Sequence, residues 1–367
     1  MKIERIEVFG VAIPLFEPRT VSYTRHAVQR SAIVRIRTDD GTVGLGNVDP
    51  FPGYSAHSVD ETIEALTARI GPLVMGHDPR DLNALIDRLD SKIGGFLDAQ
   101  AAIEMACIDL AARASNMPVH RYLGGALRPA FRLNGWIGMV SPQEAAVQAA
   151  GWKERNFRSL KIKAGSGVEA DVERIKAVRE TVGSDFGLRV DANSAYSTDD
   201  AIALSRRIAP LSIELLEQPV HEDDLEGMAR VRKEGGGVPV MADESVRDGR
   251  SIIDILKADA ADLVKVKVMK QGGIVRTRQV LAICEAAGIR CVIGHGFGLA
   301  INTAAEVSVA AVTRNIVDGL ECVGALNVSD DIVEKTLRSQ GGQIDLPDGP
   351  GFGLSLDMTK IQKYRFN

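Results

Sequence analysis

The sequence contains only four cysteines in 367 residues, and none of them belongs to a CxxC pair. The four are scattered along the chain as Cys107, Cys284, Cys291 and Cys322. A cysteine metal site is therefore not expected, because such sites use closely spaced cysteines. Free thiols suit a reducing compartment, so a cytoplasmic location is predicted.

Long apolar runs and blocks of positive charge are also missing. No apolar run reaches the roughly 18 residues that a membrane helix needs. Glu4 and Glu7 interrupt the apolar residues at the start of the chain, which is typical of a strand and not of a signal peptide. The net charge of −5 comes without a Lys/Arg block, so neither nucleic acid nor a membrane is expected as a partner. We expect a soluble homo-oligomer that binds a small molecule.

The first part of the chain predicts a small α+β domain that ends near residue 125. Strands are predicted at 3–15, 31–37 and 42–48. Asp39-Asp40-Gly41 suits the tight turn between the last two strands. The segment 16–30 has no clear period and is predicted to be a long loop. Helices are predicted at 58–70, 81–93 and 98–114.

Strand and helix patterns alternate through residues 126–322. Strands are predicted at 132–137, 160–163, 188–191, 215–217, 240–244, 264–267, 289–293 and 319–322. Helices are predicted between them at 142–155, 169–182, 198–208, 223–234, 250–258, 273–287 and 302–312. This α/β alternation predicts a parallel (β/α) barrel of the TIM type. The remaining segment, 323–367, is too long for a simple tail and is predicted to return to the first domain.

Acidic residues end three successive barrel strands at an even spacing. Asp191, Glu217 and Asp243 follow one another at intervals of 26 residues. The carboxyl ends of barrel strands face one shared mouth, so these three carboxylates are expected to converge. Like charges that lie close together are costly unless a cation is present, and carboxylates favour Mg²⁺. Each acid alone could instead cap a helix, and Glu244 competes with Asp243 for the inward position.

Two pairs of lysines stand on either side of these acids in the sequence. Lys161 and Lys163 are two apart on one strand and therefore share a face. Repulsion and partial desolvation are expected to lower a lysine pKa there, which suits a general base. The alternative is an edge strand with solvated lysines. On the later strand, Lys267 is expected near the mouth, with Lys265 deeper and in a structural ion pair.

The ordered set of these motifs resembles the enolase superfamily, and within it most closely the muconate lactonizing enzyme subgroup. The motifs are Lys-x-Lys, Asp-x-Asn, Glu-Gln-Pro, Asp-Glu-Ser and Lys-x-x-Lys-x-Gly-Gly. The resemblance implies a modified barrel with an N-terminal α+β capping domain that the C-terminal segment completes. It implies Mg²⁺, with Mn²⁺ as an alternative, bound by Asp191, Glu217 and Asp243. It also implies Lys163 and Lys267 as opposed acid/base residues, and Lys161 as a support for negative charge.

Several residues depart from the family pattern or stand where substrate contacts are expected. Asn47 stands where many members have an acid. The eighth strand reads Gly319-Leu320-Glu321-Cys322, without the Asp-x-Asp that dipeptide epimerases use for an amino group, which counts against a dipeptide substrate. Glu321 and His295 are interpreted as substrate contacts, with a structural role as the alternative for each, and His295 could also be a second acid. Further substrate contacts are predicted at Tyr23, Arg25, Tyr54, Trp136 and Asn193.

The predicted chemistry is removal of the proton α to a carboxylate through an enediolate intermediate. Its outcome is predicted to be racemisation, epimerisation or cycloisomerisation of a small carboxylic acid or amino-acid derivative, with a cyclic or N-substituted amino acid as a candidate. Dehydration of a hydroxy acid by the same proton abstraction is the first alternative. A non-catalytic, metal-stabilised barrel is an alternative of another class. A phosphate-binding barrel would need a glycine-rich loop, for which Gly294-His295-Gly296-Phe297-Gly298 is only a partial candidate.

Overall fold

The N-terminal region combines an antiparallel sheet with a group of helices. The computed structural model describes residues 1–21, 24–51 and 55–366, and the side chains of residues 17–26 lie outside this description. The sheet contains β1 (Ile3–Val21), β2 (Thr24–Thr38) and β3 (Val43–Val48), in that order. The helices are α1 (Val59–Glu64), α2 (Gly71–Val74), α3 (Leu82–Lys92), α4 (Leu97–Ala114) and α5 (Val119–Tyr122). A π-helical stretch, Ala65–Ile70, joins α1 to α2, so the helix predicted at 58–70 is interrupted.

The long loop predicted at 16–30 is wrong for the described residues, because β1 extends to Val21 and β2 begins at Thr24. The two strands pair in antiparallel register from Ile3 to Val21, with a shift between Pro14 and Arg19. At each end of the segment an apolar side chain is exposed, so no hydrophobic period marks the strands there. Phe16 and Val28 are 68% and 42% exposed. Cross-strand hydrogen bonds hold such a ribbon without requiring a buried face.

Helix α4 packs directly on the sheet, as its alanine-rich sequence predicts. A Cβ atom on Gly46 would lie 1.9 Å from the Ala102 carbonyl oxygen, and one on Gly44 would lie 2.3 Å from that of Ala106. Glycine at both positions of β3 therefore permits a backbone-to-backbone approach that any side chain would prevent. Side chains from Ala99 to Ala112 on this helix are buried.

The barrel is a curled parallel sheet of seven strands within the described residues. The strand predicted at 132–137 is two strands, β4 (Ala130–Arg132) and β5 (Gly135–Ile137), and only β5 belongs to this sheet. The other strands are β6 (Ser159–Lys163), β7 (Gly187–Asp191), β8 (Ile213–Glu217), β9 (Val240–Ala242), β10 (Leu263–Val266) and β11 (Arg290–Ile293). They lie side by side in the order in which they occur along the chain.

Single bridges and hydrogen bonds, and not a regular eighth strand, close the sheet between β11 and β5. Leu320 forms a parallel bridge with Leu133, and the Glu321 N–H donates to the Ile293 carbonyl at 2.9 Å. The strand predicted at 319–322 therefore stands at the expected place, but it lacks the regular pairing of a strand. The fold is an α/β barrel of the TIM type with a modified closure, beside a smaller α+β region.

Helices return the chain between successive barrel strands, close to their predicted positions. They are α6 (Pro142–Glu154), α7 (Val168–Val182), α8 (Thr198–Ile208), α9 (Leu225–Glu234), α10 (Gly249–Lys257), α11 (Ile274–Ala286) and α12 (Ala300–Ala311). Short 3₁₀ turns occur at Ala209–Leu211 and Gly324–Leu326. Ser141 caps α6 in a capping box with Glu144. None of the described helices has the length and apolar character needed to span a lipid bilayer.

The C-terminal segment contacts both parts of the molecule. β12 (Ser339–Gln340) and β13 (Gln343–Asp345) form a small antiparallel sheet with β4. Helix α13 (Met358–Tyr364) follows, and Arg365 forms a bridge with Val11 on β1. The Phe366 N–H donates to the Gly10 carbonyl at 3.0 Å. The end of the chain is thus attached to the N-terminal sheet.

Candidate active site

The charged residues at the strand ends surround one cavity at the carboxyl end of the barrel. β6, β7, β8, β9 and β10 are consecutive in the sheet, so the acids lie on the three strands between the two pairs of lysines. Lys163 pairs with Asp191 in register, and Asp191 with Glu217. The described residues that line the cavity include Trp136, Lys161, Lys163, Asp191, Asn193, Asp243, Lys265, Lys267, His295, Phe297 and Glu321.

The two lysines of β6 share a face, as their spacing predicts, and both contact Asp191. The Lys161 ammonium lies 2.9 Å from Asp191 Oδ2 and 2.8 Å from Glu217 Oε1. The Lys163 ammonium lies 2.6 Å from the same Asp191 oxygen and donates to Asn193 Oδ1 at 2.6 Å. The edge-strand alternative is therefore wrong, because β6 lies between β5 and β7.

The expected lowering of a lysine pKa on β6 is wrong for Lys161. Burial opposes its charge, but Asp191, Glu217 and Glu321 outweigh the burial and raise its pKa well above the ordinary value. The pKa values of the neighbouring acids shift in opposite directions. Burial also opposes the ionisation of Asp191, but Lys161 and Lys163 hold its pKa well below the usual range. Burial and the neighbouring Asp191 charge raise the pKa of Glu217 to about 8.

Glu321 is a buried acid that joins several cations inside the barrel. It accepts hydrogen bonds from Lys161 at 2.8 Å and from Lys265. Arg189 lies 3.3 Å from its other oxygen and also donates to the Gly319 carbonyl at 2.8 Å. The deep, paired position predicted for Lys265 matches these contacts. All the carboxylate contacts described for Glu321 are to protein cations, which match the structural alternative, while Glu321 also lines the cavity and its role as a substrate contact stays a prediction.

Asp243 and Glu244 face different surroundings, and Asp243 is the one that lines the cavity. The Lys267 ammonium lies 2.6 Å from both carboxylate oxygens of Asp243. Glu244 instead accepts a hydrogen bond from Asn193 Nδ2 at 3.0 Å. Lys270 donates to the Asp243 carbonyl at 3.0 Å, which holds the loop after β9. The inward position favoured for Asp243 by its spacing agrees with this geometry.

The donor set at these strand ends fits a hard divalent cation in its chemistry. Asp191, Glu217 and Asp243 offer carboxylate oxygens from three neighbouring strands, which is the ligand type that Mg²⁺ prefers. Glu217 Oε2 is buried and has no hydrogen-bond partner. Within the described residues, no group of three or more His, Cys, Asp or Glu side chains is already arranged to hold a metal ion. Lysine ammonium groups contact the carboxylate oxygens that a cation would use.

Two family models match most of this chain. Residues 4–124 match the N-terminal domain of the mandelate racemase/muconate lactonizing enzyme family, and residues 144–360 match the enolase C-terminal domain-like family. The chain belongs to the mandelate racemase/muconate lactonizing enzyme family. The resemblance to the enolase superfamily and to its muconate lactonizing enzyme subgroup is confirmed.

Similar proteins of this family are isomerases, and the similarity spans nearly whole chains. An N-succinyl-L-Arg/Lys racemase from Bacillus cereus is 32% identical over 99% of this chain and 98% of its own. Its crystal structure superposes with a TM-score of 0.96. Muconate cycloisomerase 1 from Rhodococcus opacus is 30% identical over 100% of this chain and 99% of its own. The chain is an isomerase of this racemase, epimerase or cycloisomerase type.

A third relative has a crystal structure with bound metal. The dipeptide epimerase from Enterococcus faecalis, solved in complex with Mg and the dipeptide L-Leu-L-Tyr, is 32% identical to this chain. It covers 97% of this chain and 100% of its own, with a TM-score of 0.93. Magnesium in a close structural neighbour agrees with the donor chemistry found at the strand ends.

Only some of the residues predicted to contact the substrate lie at the cavity. Trp136 and His295 line the cavity. The His295 side chain is fully buried and lies 3.1 Å from Glu306 through Nδ1, so its contacts match the structural alternative. Tyr23 and Tyr54 lie outside the described residues, and of Arg25 only the backbone in β2 is described. Asn193 contacts Lys163 and Glu244, and thus supports a lysine in addition to lining the cavity.

No role was predicted from the sequence for Arg189 or Phe297, and Asn47 was noted only as a departure from the family pattern. Arg189 is buried on β7 and stands two residues before Asp191, so a charged residue inside a buried strand was the available signal. Phe297 stacks on Phe51 with ring centroids 4.5 Å apart, which joins the barrel mouth to the N-terminal region. Asn47 uses both ends of its amide: it donates to Asp49 Oδ1 at 3.2 Å and accepts from the Leu299 N–H at 3.3 Å.

Proposed function

We propose that this protein removes and returns the proton α to a substrate carboxylate, with one lysine on each side of the substrate and Mg²⁺ as the cofactor. The observation that carries the proposal is the order Lys163, Asp191, Glu217, Asp243, Lys267 at the carboxyl ends of five consecutive strands, where all but Glu217 line one cavity. A general base must lie within hydrogen-bond reach of its proton, and this order supplies a candidate at each side. Mn²⁺ is the alternative metal.

The charges of the site suit an enediolate intermediate. The α proton of a carboxylate is very weakly acidic, so the developing second negative charge must be stabilised. Asp191, Glu217 and Asp243 would hold Mg²⁺, which when bound supplies positive charge to the substrate carboxylate. Lys161 is cationic, since surrounding acids raise its pKa, and its ammonium can add hydrogen bonds to the developing charge.

The outcome we propose is racemisation or epimerisation, and the alternative outcome is cycloisomerisation by the same proton transfer. A lysine on each side allows removal from one face and return on the other, which inverts the centre. The substrate we favour is a small carboxylic acid of the N-substituted amino-acid type. A dipeptide with a free amino group fits less well. Glu321 is the acid on the segment where dipeptide epimerases have Asp-x-Asp, and its carboxylate already contacts Lys161 and Lys265.

We further propose that residues 1–125 form a capping domain, residues 126–322 the catalytic barrel, and residues 323–367 a return segment. The bridge between Val11 and Arg365 and the contact of Phe51 with Phe297 support this division. The homo-oligomer and the cytoplasmic location stay predictions.

The test is incubation in D₂O with Mg²⁺ and a small panel: N-succinyl-L-lysine, L-Ala-L-Glu and muconolactone. Loss of the α-proton signal in ¹H NMR, with formation of the other enantiomer or ring-opened product, is the expected result. Lys163→Ala and Lys267→Ala should each abolish turnover. Lys176→Ala removes an exposed lysine on α7 and should not change it. No exchange with any panel member, or full turnover in both active-site variants, would contradict the proposal.

A further inference from the structure

Lys163 is linked to Glu244 through the amide of Asn193. The Lys163 ammonium donates to Asn193 Oδ1 at 2.6 Å, and Asn193 Nδ2 donates to Glu244 Oε1 at 3.0 Å. The link joins the ends of β6, β7 and β9 across the mouth of the barrel. The described side-chain partners of the Lys163 ammonium are Asp191 and Asn193. Of these two, Asn193 lies outside the proposed set of metal ligands.

The direction of the Asn193 amide determines whether it can hold a lysine. An asparagine amide accepts at its oxygen and donates at its nitrogen, whereas an ammonium group only donates. Only the oxygen can therefore face Lys163. Glu244 Oε1 on the far side is an acceptor, so it selects the orientation with the nitrogen toward itself. Without that acceptor, rotation of the amide would place a donor against the Lys163 ammonium.

The backbone around Asn193 is already fixed, so the side-chain orientation is the remaining freedom. Asn193 and Ser194 both have left-handed backbone angles, with φ of 43° and 63°. The Asn193 N–H donates to Asp191 Oδ1 at 3.0 Å, and the Ser194 N–H donates to the Gln218 carbonyl at 2.8 Å. Residues of this kind in a sparsely populated conformation persist where the surrounding structure holds them.

We infer that Glu244 is a positioning residue for the Lys163 side of the reaction, acting through Asn193. The inference rests on the proposed two-lysine function and adds to it a residue with a defined task on one face. Lys267 is held in another way, by both oxygens of Asp243 at 2.6 Å. Loss of the Glu244 carboxylate should therefore affect the two faces of the substrate unequally.

The experiment measures α-proton exchange separately for each enantiomer. N-succinyl-L-lysine and N-succinyl-D-lysine, or the panel pair that the wild type exchanges fastest, are incubated in D₂O with Mg²⁺, and initial exchange rates are read by ¹H NMR. Lys163→Ala identifies the enantiomer whose proton Lys163 removes, because exchange of the other enantiomer through Lys267 continues. Three further variants are compared with it: Glu244→Ala, Glu244→Gln and Glu222→Ala.

The inference predicts a face-specific loss. Glu244→Ala should slow exchange of the Lys163-side enantiomer about tenfold more than that of the other, which is the effect of one weakened hydrogen bond to a charged group. Glu244→Gln keeps an acceptor oxygen and should recover most of that loss. Glu222→Ala removes another carboxylate near Glu244 and should leave both rates unchanged. Mg²⁺ affinity, measured by calorimetry, should stay within about twofold of wild type in all three variants.

The contrary results separate this inference from the function on which it rests. Equal slowing of both enantiomers, or loss of Mg²⁺ affinity in Glu244→Ala, would show general damage to the site and overturn the inference. Wild-type rates for both enantiomers in Glu244→Ala would overturn it as well, with the proposed function intact. Absence of exchange by the wild type on the whole panel would overturn the proposed function and the inference together.

Discussion

Lys161 and Glu321 lie 2.8 Å apart inside the barrel, although 160 residues separate them in the sequence. The contact joins β6 to the segment that closes the sheet between β11 and β5. Lys265 and Arg189 contact the same carboxylate, so one acid is shared by three buried cations. Burial opposes its ionisation, but these cations hold the pKa of Glu321 well below the usual range. The residue whose backbone helps to close the barrel is thus also a shared partner of Lys161 and Lys265.

Neutralising Glu321 should destabilise the fold strongly. Glu321→Gln leaves three buried cations with one counter-charge fewer, and removal of one partner from a buried ion pair costs about 3–5 kcal/mol. The free energy of unfolding, measured in urea, should fall by that amount. Glu334→Gln changes an exposed carboxylate of the C-terminal segment and should alter stability by less than about 0.5 kcal/mol. Similar stabilities of the two variants would contradict the role assigned to Glu321.

Glu104 should make stability depend on pH. This buried residue of α4 accepts the Ile274 and Val275 N–H groups at the start of α11, at 2.9 and 2.8 Å. Burial raises its pKa from 4.5 to about 7. The folded state therefore holds this proton more tightly than the unfolded state, and stability should fall as pH rises from about 4.5 to about 7.

The measurement is the difference in unfolding free energy between wild type and Glu104→Gln at several pH values. Within that window, the unfolding free energy of the wild type should fall relative to that of the variant by up to ~1.4 kcal/mol per pH unit. Glu154→Gln, which removes an exposed carboxylate on α6, provides the matched control. A difference between wild type and Glu104→Gln that stays constant with pH would show that the Glu104 proton is not linked to folding.

Mg²⁺ should stabilise the folded protein if the three strand-end acids bind it. A ligand that binds only the folded state adds about 2.7 kcal/mol at 100 times its Kd. The thermal midpoint of the wild type should rise with Mg²⁺ and return after chelation with EDTA. Asp191→Asn and Glu217→Gln should lose this rise, whereas Asp185→Asn, an exposed acid before β7, should keep it. The same rise in all variants would place the ion elsewhere.

Gly46→Ala should destabilise the contact between β3 and α4. The added methyl group would lie 1.9 Å from the Ala102 carbonyl oxygen, which is backbone and cannot turn aside. Overpacking of this kind costs about 1–3 kcal/mol. Gly151→Ala is the matched control, because its Cβ would meet nothing within 4 Å and alanine favours a helix by up to ~1 kcal/mol. Urea unfolding should therefore show shifts of opposite sign.

The regular barrel elements were predictable because their patterns are local. The helix at Thr198–Ile208 has the predicted bounds, α7 differs by one residue at one end, and α10 and α11 differ by one residue at each end. The hairpin through 16–30 was not predictable, since strand pairing there depends on cross-strand hydrogen bonds and leaves no hydrophobic period. The prediction of a single strand at 132–137 failed for a related reason, because this segment is divided between two sheets. Its two halves read as one pattern, while their partners β13 and β6 lie far apart along the chain.

The sequence by itself determined the composition of the site. Asp191, Glu217, Asp243 and the lysines recur at the ends of strands of equal period, and a parallel barrel brings such ends to one mouth. Only the tertiary structure decided how these charges are shared. Lys161 carries a raised pKa because three acids from other strands surround it, and Asn193 holds Lys163 because Glu244 orients its amide. Pairing between distant residues depends on distances and burial that a linear pattern does not contain.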